Sequence, residues 1–162
     1  MEQDEVAAVL ARPIAQELLG SDVPARLAYT GRDGDPRVVP VAFWWDGTRV
    51  TVCTVPGSAK VAALRERPRV ALTVDTTGHP PHVLLVRGAA EVAEVDGVPD
   101  EYVAASRKLV PPGAFPAWEA GVRALYERMV RITITPDHAV LLDFATTIPR
   151  AVADLVEAAA AR

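Results

Sequence analysis

The spacing of apolar and polar positions changes several times along the chain, and each change marks a predicted element. Val6, Val9, Leu10, Ile14 and Leu18 recur at helical spacing over residues 3–19. Pro13 interrupts this spacing and predicts one helix ending near Ala11 and a second starting at Pro13, where proline suits the first helical position. Gly20 is the expected C-terminal cap. From Ala25 the period drops to two, with Leu27 and Tyr29 alternating with Ala28 and Thr30, and residues 31–36 (Gly-Arg-Asp-Gly-Asp-Pro) read as a hairpin turn. The return strand, Arg37–Trp45, is apolar on both faces over most of its length and therefore predicts cover on both sides. After the Asp46-Gly47 turn comes an alternating strand, Arg49–Val55, which completes an expected three-stranded meander.

Pro56-Gly57-Ser58 then breaks the pattern, and residues 58–67 predict a short helix with Ser58 as its N-cap. Arg69–Asp75 is a strand by alternation, 76–81 a loop, and His82–Val95 a long strand with Gly88 as a bulge or barrel corner. Val98–Val110 and Ala114–Met129 read as helices, giving a helical insertion over about 98–128. Two strands, Val130–Thr135 and Ala139–Phe144, are predicted either side of Pro136-Asp137, and a helix over 149–161 follows. No repeat or linker divides the sequence, so residues 1–162 are expected to form a single domain. The expected class is mainly β with peripheral helices (α+β), built as an antiparallel six- or seven-stranded barrel.

Composition narrows the partners. The chain has 162 residues, half of them hydrophobic, with a net charge of −4, which gives no basic footprint for nucleic acid. Its apolar runs, such as Val83–Val86, are far too short to span a bilayer, and the acidic start (Glu2, Asp4, Glu5) is unlike a signal peptide. A single cysteine, Cys53, cannot form an internal disulfide, which fits a reducing cytoplasm.

Chemistry concentrates at residues 57–60. Gly57, Ser58 and Lys60 open the predicted helix, where unpaired N–H groups and the helix dipole favour an anion. Ser58 adds a hydroxyl and Lys60 a point charge, so the corner suits a phosphate. A capped surface helix with a solvated lysine would carry the same four residues.

The block from the Gly-Asp-Pro turn through Val38-Val39-Pro40-Val41, Trp44, Asp46-Gly47, Gly57-Ser58-x-Lys60 and Pro68-x-Val70-x-Leu72-x-Val74 resembles the pyridoxamine 5′-phosphate oxidase-like, FMN-binding split-barrel superfamily. The resemblance implies a split β-barrel in which Ser58 and Lys60 hold the cofactor phosphate. Val39, Pro40 and Val41 would border the flavin-type ring, partly through main-chain groups, and Cys53 and Thr54 would line the same pocket. Arg37 would lie near its mouth, the alternative being a solvated arginine beside the turn. It further implies a homodimer with cofactor sites at the subunit interface. The cofactor would be FMN or the deazaflavin coenzyme, the latter favoured by an Ala-, Val-, Arg- and Pro-rich composition of high-GC type. The activity implied is an oxidoreductase moving hydride between the bound cofactor and a small organic substrate. The alternative is a non-catalytic binding protein for a flavin, haem or other planar ligand. One departure stands out. The type enzymes carry several basic residues near the C-terminus to bind substrate phosphate, whereas here an Ala-rich helix runs from Arg150 to Arg162 without an arginine cluster, which speaks against pyridoxamine phosphate as substrate.

Other candidates fit no complete motif. His79 and His82 are three apart, but no third metal ligand follows at a sensible spacing; His82 opens a barrel strand and is kept as a cofactor contact. Arg87 interrupts an apolar strand and must face solvent, pair with a carboxylate such as Glu91, or contact an anionic ligand. Trp44, Trp45 and Trp118 read as core or interface residues, and no nucleophile elbow is present.

Overall fold

A computed structural model describes residues 1–161; Arg162 lies outside them. In chain order the elements are α1 (Gln3–Leu10), α2 (Pro13–Gly20), β1 (Ala25–Thr30), β2 (Pro36–Val41), β3 (Trp44–Trp45), β4 (Val50–Thr54) and α3 (Ala59–Glu66). They continue with β5 (Arg69–Asp75), β6 (His82–Asp96), α4 (Asp100–Arg107), α5 (Phe115–Leu125), β7 (Arg128–Asp143) and α6 (Arg150–Ala160). Seven strands form one antiparallel sheet in the order β2-β1-β5-β6-β7-β4-β3. Its two edges, β2 and β3, are neighbours in sequence with only Ala42 and Phe43 between them. Two residues span roughly 7–11 Å, so the sheet must curl until its edges nearly meet. The edges remain unpaired to each other, which makes this a split barrel.

The curl corrects the expected single strand over Arg37–Trp45 and the expected meander. The strand breaks at Ala42-Phe43, where Phe43 turns into the core at 1 % exposure, and β4 pairs with β7 instead of β2. A second correction concerns Pro136, which does not separate two strands but lies within the continuous β7. The register slips between Arg87 and Gly88, so Gly88 faces Pro136 and Arg87 faces His138, with Asp137 as the extra residue. A bulge tolerates proline because no ladder bond is lost there. Gly88 is required at this point, since a Cβ on it would sit 2.2 Å from the Thr135 carbonyl oxygen. Gly20 is not the cap of α2 but its last residue; the Ser21 hydroxyl caps the helix by donating to the Leu18 carbonyl at 2.8 Å.

Inward-facing Leu27, Val41, Val50, Val52, Leu72, Leu84, Val86, Ile132 and Ile134 fill the barrel, with Val6, Leu10, Leu18, Val61 and Leu64 from the helices closing it. The helical insertion packs on the outer side of β4 and β7, where Val98, Val103, Phe115 and Met129 form a second cluster with Cys53, Tyr102 and Trp118. Within this chain β2 is covered on one face only. Val39 and Val41 point inward, whereas Val38 is 65 % exposed and Pro40 is also exposed. No helix among the described residues is long and apolar enough to cross a membrane.

Candidate functional site: the corner at the start of α3

The chain leaves β4 through a turn closed by the Ser58 N–H donating to the Val55 carbonyl at 3.1 Å, and α3 begins at Ala59. Ser58 takes the N-cap position with extended backbone, but its hydroxyl makes no capping bond. Instead it accepts from Lys60 Nζ at 2.9 Å, while Thr54 Oγ1 lies 3.4 Å from the same nitrogen. Among the described residues the amides of Ala59 and Lys60 have no backbone acceptor. Three hydrogen-bonding groups therefore converge with the positive end of a helix.

Lys60 is half-buried, and no carboxylate pairs with it among the described residues. Burial pushes its pKa below the ordinary lysine value. An ammonium held in this way fits an anion: the donor set is a charge, a hydroxyl and free amides, which is the chemistry a phosphate requires. The corner is open at Gly57, where a Cβ would meet nothing within 4 Å.

Beside the corner, a cleft of about 390 Å³ runs between the β1–β2 hairpin and α3, lined by Tyr29, Gly31, Arg37, Ala59, Ala62 and Ala63. Arg37 also lines a shallow groove of about 410 Å³ on the outer sheet face, together with Val38, Arg69, Ala71 and Arg87. The strand register explains this row: Val38 faces Ala28, Ala28 faces Ala71, and Ala71 faces Arg87. Arg37 pairs with Asp33 and Arg69 with the bulge residue Asp137, whereas Arg87 has no ion pair among the described residues, Glu91 included.

The sequence-derived candidates thus divide into groups. Thr54, Gly57, Ser58 and Lys60 come together. Val39, Pro40 and Val41 lie on the edge strand β2, whose outer main-chain groups have no strand partner. Cys53 is turned away from Thr54 by strand alternation and packs beneath α4 with Tyr102. Burial, helped by the Glu101 charge and opposed by Arg131, pushes its thiol up to about 12. His82 lies at the end of β6 remote from α3, where its Nε2 is 3.1 Å from Asp143 Oδ1; Thr54, by contrast, is level with Glu94. The outer-face position of Arg69 was missed in the sequence reading, although its alternation with Val70 and Leu72 signals it.

An open-edged antiparallel barrel, with hydrogen-bond donors gathered where a strand hands over to a short helix, defines the class of split-barrel proteins. The sequence profile of pyridoxamine 5′-phosphate oxidase matches residues 12–135, and the chain belongs to that family. Solved structures share the fold. An F420 reductase is 25 % identical with a TM-score of 0.59, the match covering 77 % of this chain and 94 % of that one. A conserved hypothetical protein from Mycobacterium tuberculosis shares 19 % identity (TM-score 0.57), over 88 % of this chain and 85 % of the other. A putative pyridoxamine 5′-phosphate oxidase from Listeria innocua shares 17 % (TM-score 0.55), over 88 % of this chain and 98 % of the other. Among curated protein sequences none matches.

Proposed function

We propose that this protein is a flavin- or deazaflavin-dependent oxidoreductase that moves hydride between its bound cofactor and a small organic substrate. The observation that carries the reading is Lys60, a half-buried ammonium without a carboxylate at the start of α3. The similarity to an F420 reductase supports the deazaflavin coenzyme as one of the two cofactors, with FMN as the other. Lys60, Ser58 and the first amides of α3 would hold the phosphate, with Arg37 at the mouth of the neighbouring cleft. The edge strand β2 would border the ring. When bound, the cofactor supplies the hydride chemistry, and the protein supplies position and electrostatics. The exposed Val38 and Pro40 on the outer face of β2 support a homodimer in which a second copy covers that face and completes the site.

A second reading, binding without turnover, draws on the absence of a proton-transfer group among the described residues that converge on Lys60, since Cys53 faces elsewhere. One experiment separates the two. The purified protein is titrated with FMN and with the deazaflavin coenzyme, followed by absorbance and fluorescence. The reduced complex is then mixed with a panel of organic acceptors. Saturable binding followed by reoxidation that depends on an acceptor supports the oxidoreductase; saturable binding without it favours the binding protein. Failure to bind either cofactor overturns the oxidoreductase, and failure to bind haem as well in a parallel titration overturns the binding protein.

A further inference from the structure

Every arginine on the β1–β2 hairpin, on α3 and at its C-cap is paired with a carboxylate. Arg26 lies 3.3 Å from Asp75, Arg32 2.9 Å from Glu66, Arg65 2.9 Å from Glu94 and Arg67 3.9 Å from Glu66, while Arg37 pairs with Asp33. Among the described residues Lys60 is the one cation of this region that no carboxylate holds. A phosphate monoester carries about −1.5 to −2 near pH 7, more than one ammonium balances. A second cation must come from a pair that the ligand can open.

The Arg37–Asp33 pair is placed for this. Both residues line the cleft of about 390 Å³ that reaches Ala59, the first residue of α3. Arg32 lines the same cleft, but its partner Glu66 ends α3, roughly 10 Å along the axis from the first turn. Asp33 is fixed by the turn rather than by Arg37: its Oδ1 accepts the Asp35 N–H at 3.1 Å, which leaves only Oδ2 for Arg37 Nη2. Asp33 thus grips the guanidinium through a single nitrogen, whereas a phosphate offers two oxygens side by side to the guanidinium fork. Both side chains are also open to solvent, where an ion pair holds weakly. We propose that Asp33 is an internal counter-ion that sets the selectivity of the site: it occupies Arg37 until a ligand phosphate takes the guanidinium from it. The proposal rests on the cofactor reading above and adds how its anion site is controlled.

The test is a titration of FMN into wild type, Asp33→Asn, Arg37→Met and the double variant at fixed ionic strength, followed by flavin fluorescence. Asparagine keeps an oxygen for the Asp35 amide but sets N–H donors against Arg37, so the turn stays and the pair is lost. Asp33→Asn is expected to lower the Kd for FMN roughly two- to fivefold, the range of one exposed ion pair, and to leave riboflavin unchanged. A loosened hairpin would weaken binding instead. In the Arg37→Met background the same change should have little effect. Asp33→Ser, whose hydroxyl also accepts from a turn amide, serves if Asp33→Asn does not fold. Unchanged or weaker FMN binding in Asp33→Asn, an equal gain for riboflavin, or a gain of the same size without Arg37 (the mark of plain repulsion by Asp33) would overturn the proposal. If FMN binds none of the four proteins, the cofactor reading falls. Inorganic pyrophosphate, followed through the Gly31 and Ala59 amide resonances of ¹⁵N-labelled protein, then decides the role of Asp33 by the same ratios, and its failure to bind overturns that role as well.

Discussion

Lys60→Met tests the anion corner most directly because it keeps the length of the stem and deletes the charge. The ammonium has three donors. Ser58 Oγ and Thr54 Oγ1 take two of them, at 2.9 and 3.4 Å, which leaves one donor and the whole charge for a ligand. One charge-assisted hydrogen bond is worth about 1.5–3 kcal/mol, or roughly a 10- to 100-fold rise in Kd. The loss should depend on phosphate. Titration of FMN is expected to show it, whereas riboflavin, which lacks the phosphate, should bind wild type and variant alike. Equal losses for both ligands, or none for either, would refute the assignment of Lys60 to the phosphate. Stability gives a second readout. The folded-state pKa of Lys60 lies below its unfolded value of 10.5, so the unfolded chain binds the proton more tightly. Ligand-free protein therefore gains stability as pH rises through the folded pKa toward 10.5, and urea denaturation of Lys60→Met should lack that alkaline gain.

Three further outcomes follow from the fold. Gly88→Ala places a methyl group 2.2 Å from the Thr135 carbonyl, so the bulge must shift, and chemical denaturation should show a loss of about 3 kcal/mol or more. Phe43→Ala empties the seam between β2 and β3, where the ring is 1 % exposed and carries the Lys108 ammonium 4.0 Å from its centroid; the expected cost is about 3–5 kcal/mol by the same assay. The Cys53 thiol stays neutral to about 12 when folded, against 9.0 unfolded, so the native state loses stability as pH climbs between those values. Cys53→Ala should remove that alkaline loss, and native wild type should react slowly with iodoacetamide at mildly alkaline pH and rapidly once unfolded.

The sequence showed most where a local rule and the tertiary context agree. Pro13 and the period-two runs at Ala25–Thr30 and Arg69–Asp75 predicted elements that the structure contains, because alternation alone decides which face of a strand is buried. Ser58 and Lys60 could be read as a pair because a hydroxyl and an ammonium at a helix start add donors where the dipole already favours an anion. Long-range closure could not be read. Nothing local to Ala42-Phe43 says that a continuous apolar run divides between opposite sheet edges, since the break answers to strands that lie far away in the chain. Pro136 misled for a related reason: proline ends a strand by default, and only its partner Gly88 reveals a bulge. Cys53 and Thr54 were grouped through the family resemblance, whereas alternation sends neighbours on a strand to opposite sides.

The two-residue join between β2 and β3 also limits how far the barrel can breathe. Because Val41 and Trp44 are tied through Ala42 and Phe43, the slit cannot gape beyond about 11 Å at that end, however far thermal motion loosens the rest of the wall. The unpaired rim of β2 is thus leashed rather than free to peel away. Its amides should exchange with deuterium sooner than those of β5 and β6, yet without needing the whole molecule to unfold.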